Sequence, residues 1–348
     1  MNDIYAIGLM SGTSLDGVDV ALCRFCDDPV KYEIISTHTF PYPCGIKTKL
    51  EDATKLSGSE LNNLHIELGQ LYGELVSTFI QSFAIKKVDL IASHGHTVFH
   101  EPEKRITLQI GHPAFIAIKS GILTIADFRS TDVFLGGQGA PLVPVGDRNL
   151  FSEYNNRLNL GGFANISFEK DDTTIAFDIG PANIPLNLLA DEMGYSYDDE
   201  GLLAASGKTN PVLLEELNDL DHYKEQPPKS LGREWFDQQF WTLINNSKSS
   251  NIDKLRTITE HIAQQCSNSF IEGNVLITGG GAHNTFLTDR IKDLSTNHII
   301  IPYKTLVDYK EALIFAYLGY LRINQKNNTL SSVTGAQKAH SSGGVYLP

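Results

Sequence analysis

IGLMSGTSLDGVDV, residues 7–20, sets Gly, Ser, Thr and Asp between two apolar flanks. Ile4, Ala6 and Ile7 lead in, and Val18, Val20, Ala21 and Leu22 resume the apolar pattern. This predicts a strand, a tight polar turn and a second strand returning antiparallel. Gly12 and Gly17 permit positive φ and a close approach of backbone to ligand, so that consecutive N–H groups converge on an anion. Thr13 and Ser14 add hydroxyl donors for phosphate oxygens, Leu15 and Val18 belong to the same loop, and Asp16 or Asp19 offers a carboxylate to a hydrated magnesium ion. The loop suits a metal-bound polyphosphate. A hairpin whose polar residues only satisfy its own turn stays open on these residues alone.

Outward from this stretch, residues 32–40 read as a third strand, closed by Pro41-Tyr42-Pro43. Leu61, Leu64, Leu68, Leu71, Leu75, Phe79 and Phe83 then recur at three- and four-residue intervals, the stripe of a long packing helix over 60–83. Residues 88–93 form a short buried strand that delivers His94-Gly95-His96-Thr97 at its carboxyl end, where α/β sheets place ligands. Residues 122–126 do the same for Asp127-Phe128-Arg129. The Gly-rich connector 136–141 places a hinge and domain boundary near Asn149, giving domains 1–149 and 150–348.

The second half restarts at 157–166 with a strand, a Gly turn and a strand, and residues 174–177 lead to Asp178-Ile179-Gly180-Pro181-Ala182-Asn183. A strand, a phosphate-type turn and a return strand thus open each half, a weak internal repeat that implies two similarly built α/β domains facing one cleft. Helices are expected over 183–193, 210–218, 237–245 and 255–271. A buried strand, 274–278, enters Gly279-Gly280-Gly281-Ala282-His283-Asn284 ahead of a helix from 285. The last helix spans 310–321, and the tail from Asn327 is expected to run over the surface.

Composition sets outer limits. A chain of 348 residues with 41% hydrophobic side chains has room for two cores. The balance of 41 acidic against 28 basic residues, formally −13, repels nucleic acid and anionic membrane, and no basic run offsets it. Any anionic substrate must therefore meet local cations. Four cysteines make no disulfide framework, and Cys23 and Cys26 lack a second ligand pair at zinc spacing. No secretory leader or membrane-length apolar run is present in the sequence, so the cytoplasm is expected.

The chemistry-bearing residues fall at the ends of these strands. Gly279-Gly280-Gly281 between a strand and a helix lets a flat base or ribose lie on bare backbone, although such a triplet also serves plain loops. Asp178 lies just after a strand, where it either reacts or caps the next helix. Arg129 is a fork donor suited to a carboxylate, and Asp127 is its plainer partner. His94 and Thr97 offer hydrogen bonds to hydroxyls. Neither a Walker A loop nor a dinucleotide fingerprint is present.

GLMSGTSLDGVD, residues 8–19, resembles the phosphate loop of the 1,6-anhydro-N-acetylmuramic acid kinases, a branch of the actin, heat-shock ATPase and sugar-kinase superfamily. LGGFANI, residues 160–166, resembles the family's second phosphate segment, with Gly161, Gly162 and Asn165. FDIGPAN, residues 177–183, resembles its FDTGPGN signature, with Ile179 and Ala182 as departures. SHGHT, residues 93–97, resembles SHGQT, with His96 in the glutamine's place. Residues 127–129 match the DFR segment, and Glu311 the acidic residue of the last helix.

The resemblance runs from Gly8 to Ala316 in order. It implies two actin-like, ribonuclease-H-like domains around an interdomain cleft, with ATP bracketed by the two phosphate segments and by residues 279–281 with Asn284. Asp178 is then the general base, and His94, Thr97, Arg129 and Glu311 face the sugar. The implied activity takes ATP, magnesium and the 1,6-anhydro sugar of cell-wall recycling to N-acetylmuramic acid 6-phosphate. The bridged O6 carries no proton, so water must open the ring. A homodimer is the family expectation. A kinase of the same fold for another small sugar, or a non-catalytic ATP-gated binding protein, are the rival readings.

Overall fold

The computed structural model describes residues 3–12, 15–26 and 30–348. Thr13 and Ser14 of the first loop lie outside the described residues. The chain divides into two compact units, residues 1–150 with 309–348, and residues 151–308.

The first unit is built on β1 (Ile4–Ser11), β2 (Val18–Cys26), β3 (Lys31–Phe40), β4 (Leu90–Ser93), the hairpin β5 (His96–Glu101) and β6 (Ile106–Ile110), and β7 (Thr124–Ala126). β1 and β2 pair antiparallel from Ile4↔Phe25 to Ser11↔Val18, the hairpin expected from the opening stretch. β3 extends the meander, and β4 and β7 add in parallel on the other side of β1. The helix Gly58–Ser82 covers this sheet. Its start is fixed by a capping box in which Ser57 and Glu60 satisfy each other's backbone N–H groups. Leu64, Leu68, Tyr72, Val76 and Phe79 bury one stripe against Ile7, Leu9, Val20 and Leu22. Each such side chain contributes about 1.5–3 kcal/mol of burial.

The second unit holds β8 (Asn156–Leu160), β9 (Phe163–Lys170), β10 (Thr173–Pro181), β11 (Asn274–Thr278) and β12 (His298–Ile300). The sheet order is β10-β9-β8-β11-β12, with β8–β10 an antiparallel meander and β11 and β12 parallel to β8. In the first unit the corresponding order is β3-β2-β1-β4-β7. The two sheets share one plan, third-second-first-fourth-fifth, which is the repeated α/β layout the internal repeat implied. Its core is centred on the helix Asn251–Asn268, whose Leu255, Ile258, Ile262 and Cys266 are buried. The expected helix at 237–245 takes a π turn, Phe236–Phe240, before the α-helix Trp241–Asn246.

Residues 309–348 belong to the first unit and not to the second half of the chain, and the stretch from Asn327 departs from the expected surface tail. The helix Lys304–Ile323 leaves helical geometry at Tyr309 (φ −116°, ψ 15°), and the unit boundary falls there. Beyond it the helix backbone presses on β1 so closely that a Cβ on Gly8 would lie 1.8 Å from the Ala312 carbonyl oxygen. Asn328, Thr329, Thr334 and Ser342 are buried, and the strand Gly344–Tyr346 pairs antiparallel with β7. Polar composition misled here because these side chains satisfy buried backbone, as when Asn328 Nδ2 donates to the Leu318 and Ser342 carbonyls.

Candidate active site

Among the described residues of the first loop, Leu15 is left-handed (φ 57°), and its N–H donates to the Gly12 carbonyl at 3.4 Å. Gly17 serves close approach instead of positive φ, since a Cβ there would meet the Phe40 carbonyl oxygen at 2.6 Å. The loop is thereby seated on β3. Asp16 is exposed, whereas Asp19 on β2 accepts from Thr39 Oγ1 at 2.6 Å, and Thr39 is 3.0 Å from the Tyr309 hydroxyl.

The end of β4 meets Arg129 through His94. The His94 Nδ1–H donates to the Gly95 carbonyl (2.9 Å), which leaves Nε2 as an acceptor for Arg129 Nε (3.2 Å) and Nη2 (2.9 Å). Burial, reinforced by Arg129, holds the imidazole well below the usual histidine range, so it stays neutral and can accept. Arg129 Nη1 donates to the Gly139 carbonyl at 2.9 Å. One hydrogen on each terminal nitrogen remains, a fork matching a carboxylate. Burial pushes Arg129 down to about 10, with Glu311 opposing the shift. Asp127 instead accepts from the Ser130 N–H at 3.1 Å, so the plainer Arg129–Asp127 pair does not form. Thr97 lies on β5, opposite Gln109.

Glu311 follows the break at Tyr309 and is half-buried, not the solvated first-turn glutamate that remained possible. Burial raises its carboxyl; Lys310 and Arg129 pull it down, and Asp19 and Asp147 push it up. Lys310 itself is buried and donates to Asp147 Oδ1 at 3.0 Å. Asp19, Glu311, Arg129 and His94 are thus electrostatically joined within one unit.

In the second unit the Gly161-Gly162 turn accepts backbone hydrogen bonds from Ala182, Asn183 and Ile184. Gly279 (φ 83°) packs so tightly that a Cβ would lie 2.6 Å from Asn159 Oδ1, and one on Gly281 would lie 2.7 Å from Leu160 Cβ. Gly280 is the open member of the triplet, its nearest neighbour being Asn183 Nδ2 at 3.7 Å from the Cβ position. The Asn284 side chain caps the helix Thr285–Leu294 by accepting from Leu287 N–H at 2.9 Å.

Asp178 lies within β10, one residue before a register shift, and faces Asn165 of β9 across the ladder. Its backbone N–H donates to the Lys229 carbonyl (3.1 Å), and its Oδ2 accepts from the Leu231 N–H (3.0 Å). The helix Asn183–Glu192 starts without a side-chain cap, which removes the capping account of Asp178. Burial raises the Asp178 carboxyl above its ordinary range, and the Leu231 N–H opposes this. His222 Nε2 donates to the Asp178 carbonyl at 3.0 Å, and Lys229 Nζ donates to the His222 carbonyl at 2.7 Å. In the sequence, residues 226–231 show only a loop around Gln226-Pro227-Pro228. No local signal connects it to a carboxylate some fifty residues earlier.

Residues 4–348 match the family described as anhydro-N-acetylmuramic acid kinase. The anhydro-N-acetylmuramic acid kinase of Coxiella burnetii (strain Dugway 5J108-111) is 37% identical, over 98% of this chain and 96% of that protein. The protein of the same name from Vibrio cholerae serotype O1 is 37% identical, over 98% of each. That from Sulfurovum sp. (strain NBC37-1) is 35% identical over the whole of both. With a family match over residues 4–348 and relatives 35–37% identical over nearly the whole of both chains, this chain belongs to the anhydro-N-acetylmuramic acid kinase family.

Proposed function

We propose that this protein uses ATP to open the 1,6-anhydro ring of anhydro-N-acetylmuramic acid and phosphorylate O6, giving N-acetylmuramic acid 6-phosphate for cell-wall recycling. The observation that carries the chemistry is Asp178, a half-buried carboxylate with Oδ2 tied to a backbone N–H and its pKa raised by burial. Such a group is a better base near neutral pH than an ordinary surface aspartate. Oδ1 takes a proton from water as the water oxygen bonds to C1. The C1–O6 bond breaks, O6 bonds to the γ-phosphorus, and the bond from that phosphorus to the β–γ bridging oxygen breaks, leaving ADP.

Arg129 receives the lactyl carboxylate with the fork that His94 and Gly139 leave unused. Thr97 and Glu311 face the sugar, Gly12 to Asp19 with Gly161, Gly162 and Asn165 take the phosphates, and Gly280 takes the adenosine. Asp19, held by Thr39, or the exposed Asp16 would offer magnesium a hard carboxylate oxygen, and the ion commonly uses one or two carboxylates and fills its shell from water and phosphate. When bound, the ion supplies charge neutralisation to the phosphates. Among the described residues no helix is long and apolar enough to cross a membrane, and a cytoplasmic homodimer is the assembly we assign. Turnover of the anhydro sugar in oxygen-labelled water tests the reading. Label at C1 of the phosphorylated product is expected, and unlabelled product would exclude hydrolytic opening.

A further inference from the structure

Gly139 is held by both of its backbone polar groups. Its carbonyl accepts from Arg129 Nη1 at 2.9 Å, and its N–H donates to Asp132 Oδ2 at 2.8 Å. Asp132 is fully buried, and its other oxygen accepts from Thr334 Oγ1 at 2.8 Å, with His340 Nε2 3.8 Å away. The contact between connector and C-terminal segment is reinforced by backbone, as Gln138 N–H donates to the Thr334 carbonyl (2.7 Å) and Gln337 N–H to the Leu135 carbonyl (3.1 Å). Gly137 has no room for a side chain, because a Cβ would lie 2.2 Å from Asp132 Oδ2 and 2.9 Å from Ala336 Cβ. A carboxylate buried at this cost must have its lone pairs used, and here they hold two segments that are far apart in sequence.

We infer that Asp132 and Thr334 are positioning residues for substrate specificity: through Gly139 they set the orientation in which Arg129 meets the carboxylate of the sugar. This rests on the assignment of Arg129 to the lactyl carboxylate. A guanidinium fork discriminates only when its plane is fixed, since a rotated fork loses the second hydrogen bond to the carboxylate while keeping its charge. Residues 334–337, which lie outside every motif of the site, thereby enter recognition of the acidic substituent.

Binding of two sugars to the full-length protein tests this by calorimetry: anhydro-N-acetylmuramic acid, and its counterpart lacking the lactyl ether, anhydro-N-acetylglucosamine. Thr334→Val removes the hydroxyl at constant shape, Thr334→Ser restores it, Asp132→Asn removes one acceptor, and Arg129→Lys is the reference. Expected is a preference for the acidic sugar that falls about tenfold in Thr334→Val and Asp132→Asn, equivalent to about 1.4 kcal/mol, recovers in Thr334→Ser, and leaves the ATP affinity unchanged. An equal loss for both sugars, or no change in preference, in variants whose Arg129→Lys counterpart has lost it overturns the inference alone. A preference that survives Arg129→Lys overturns the carboxylate assignment and this inference together. A melting curve of each variant checks that it is folded, and if the valine variant is unfolded the asparagine variant decides.

Discussion

Asp178 carries opposed consequences for rate and stability. Its folded-state pKa is raised, so in the interval above the ordinary carboxyl value the unfolded chain holds fewer protons than the folded one, and stability falls as pH rises through that interval. Asp178→Asn, which can still accept from Leu231, should therefore melt slightly higher than the native protein at neutral pH, and the difference should vanish at acid pH where both states are protonated. The same variant should lose about a hundred- to ten-thousandfold in kcat with ATP affinity intact, and the acid limb of the native kcat/KM profile should lie above the ordinary carboxyl range. Near-native turnover in that variant would remove Asp178 from the chemistry. His94→Ala releases one edge of Arg129, and a roughly tenfold weaker sugar affinity with unchanged ATP affinity is expected in a titration of each ligand. His94 could be picked out from its place at the end of a strand. Its role as a neutral acceptor could not, because that depends on where Arg129, thirty-five positions later, brings its donors.

Elements with clean periodicity were readable from the chain alone: the β1–β2 hairpin, the helix Gly58–Ser82 and the strand Asn274–Thr278 bury the residues their patterns put inside. Elements held by tertiary contact were not. The β5–β6 hairpin carries no strong period, the helix Val143–Leu150 is obscured by its own Pro144 and Gly146, and β10 runs on past Phe177 because its ladder with β9 continues through Asp178. The most demanding contact between elements is β1 on the helix Lys304–Ile323. Gly8→Ala would drive its Cβ into the Ala312 carbonyl oxygen, with no flexible side chain to give way. Forced overpacking of this kind costs typically 1–3 kcal/mol and occasionally more, so thermal melting of Gly8→Ala should show a clear loss; an unchanged melting temperature would contradict the close approach.

At the scale of the molecule, residues 151–308 form a continuous unit, and residues 1–150 are completed only by residues 309–348. A fragment of residues 151–308 should unfold cooperatively in urea, whereas residues 1–150 alone should not, and should do so only once residues 309–348 are joined to them. A cooperative transition in residues 1–150 alone would count against this division. The repeated strand plan was legible because each half opens with the same polar turn between apolar strands. The return of the chain to its first unit was not, since nothing local in residues 309–348 tells a helix on β1 from one elsewhere. Synthesis on the ribosome meets the consequence directly. The 151–308 stretch takes on the order of ten to thirty seconds to emerge at about 5–20 residues per second, and throughout that time β1 and β7 wait for the helix and edge strand that cover them. The later-made unit can finish first, and the nascent chain's most vulnerable surface belongs to the part that was made first, which gives a holding chaperone its reason to bind there.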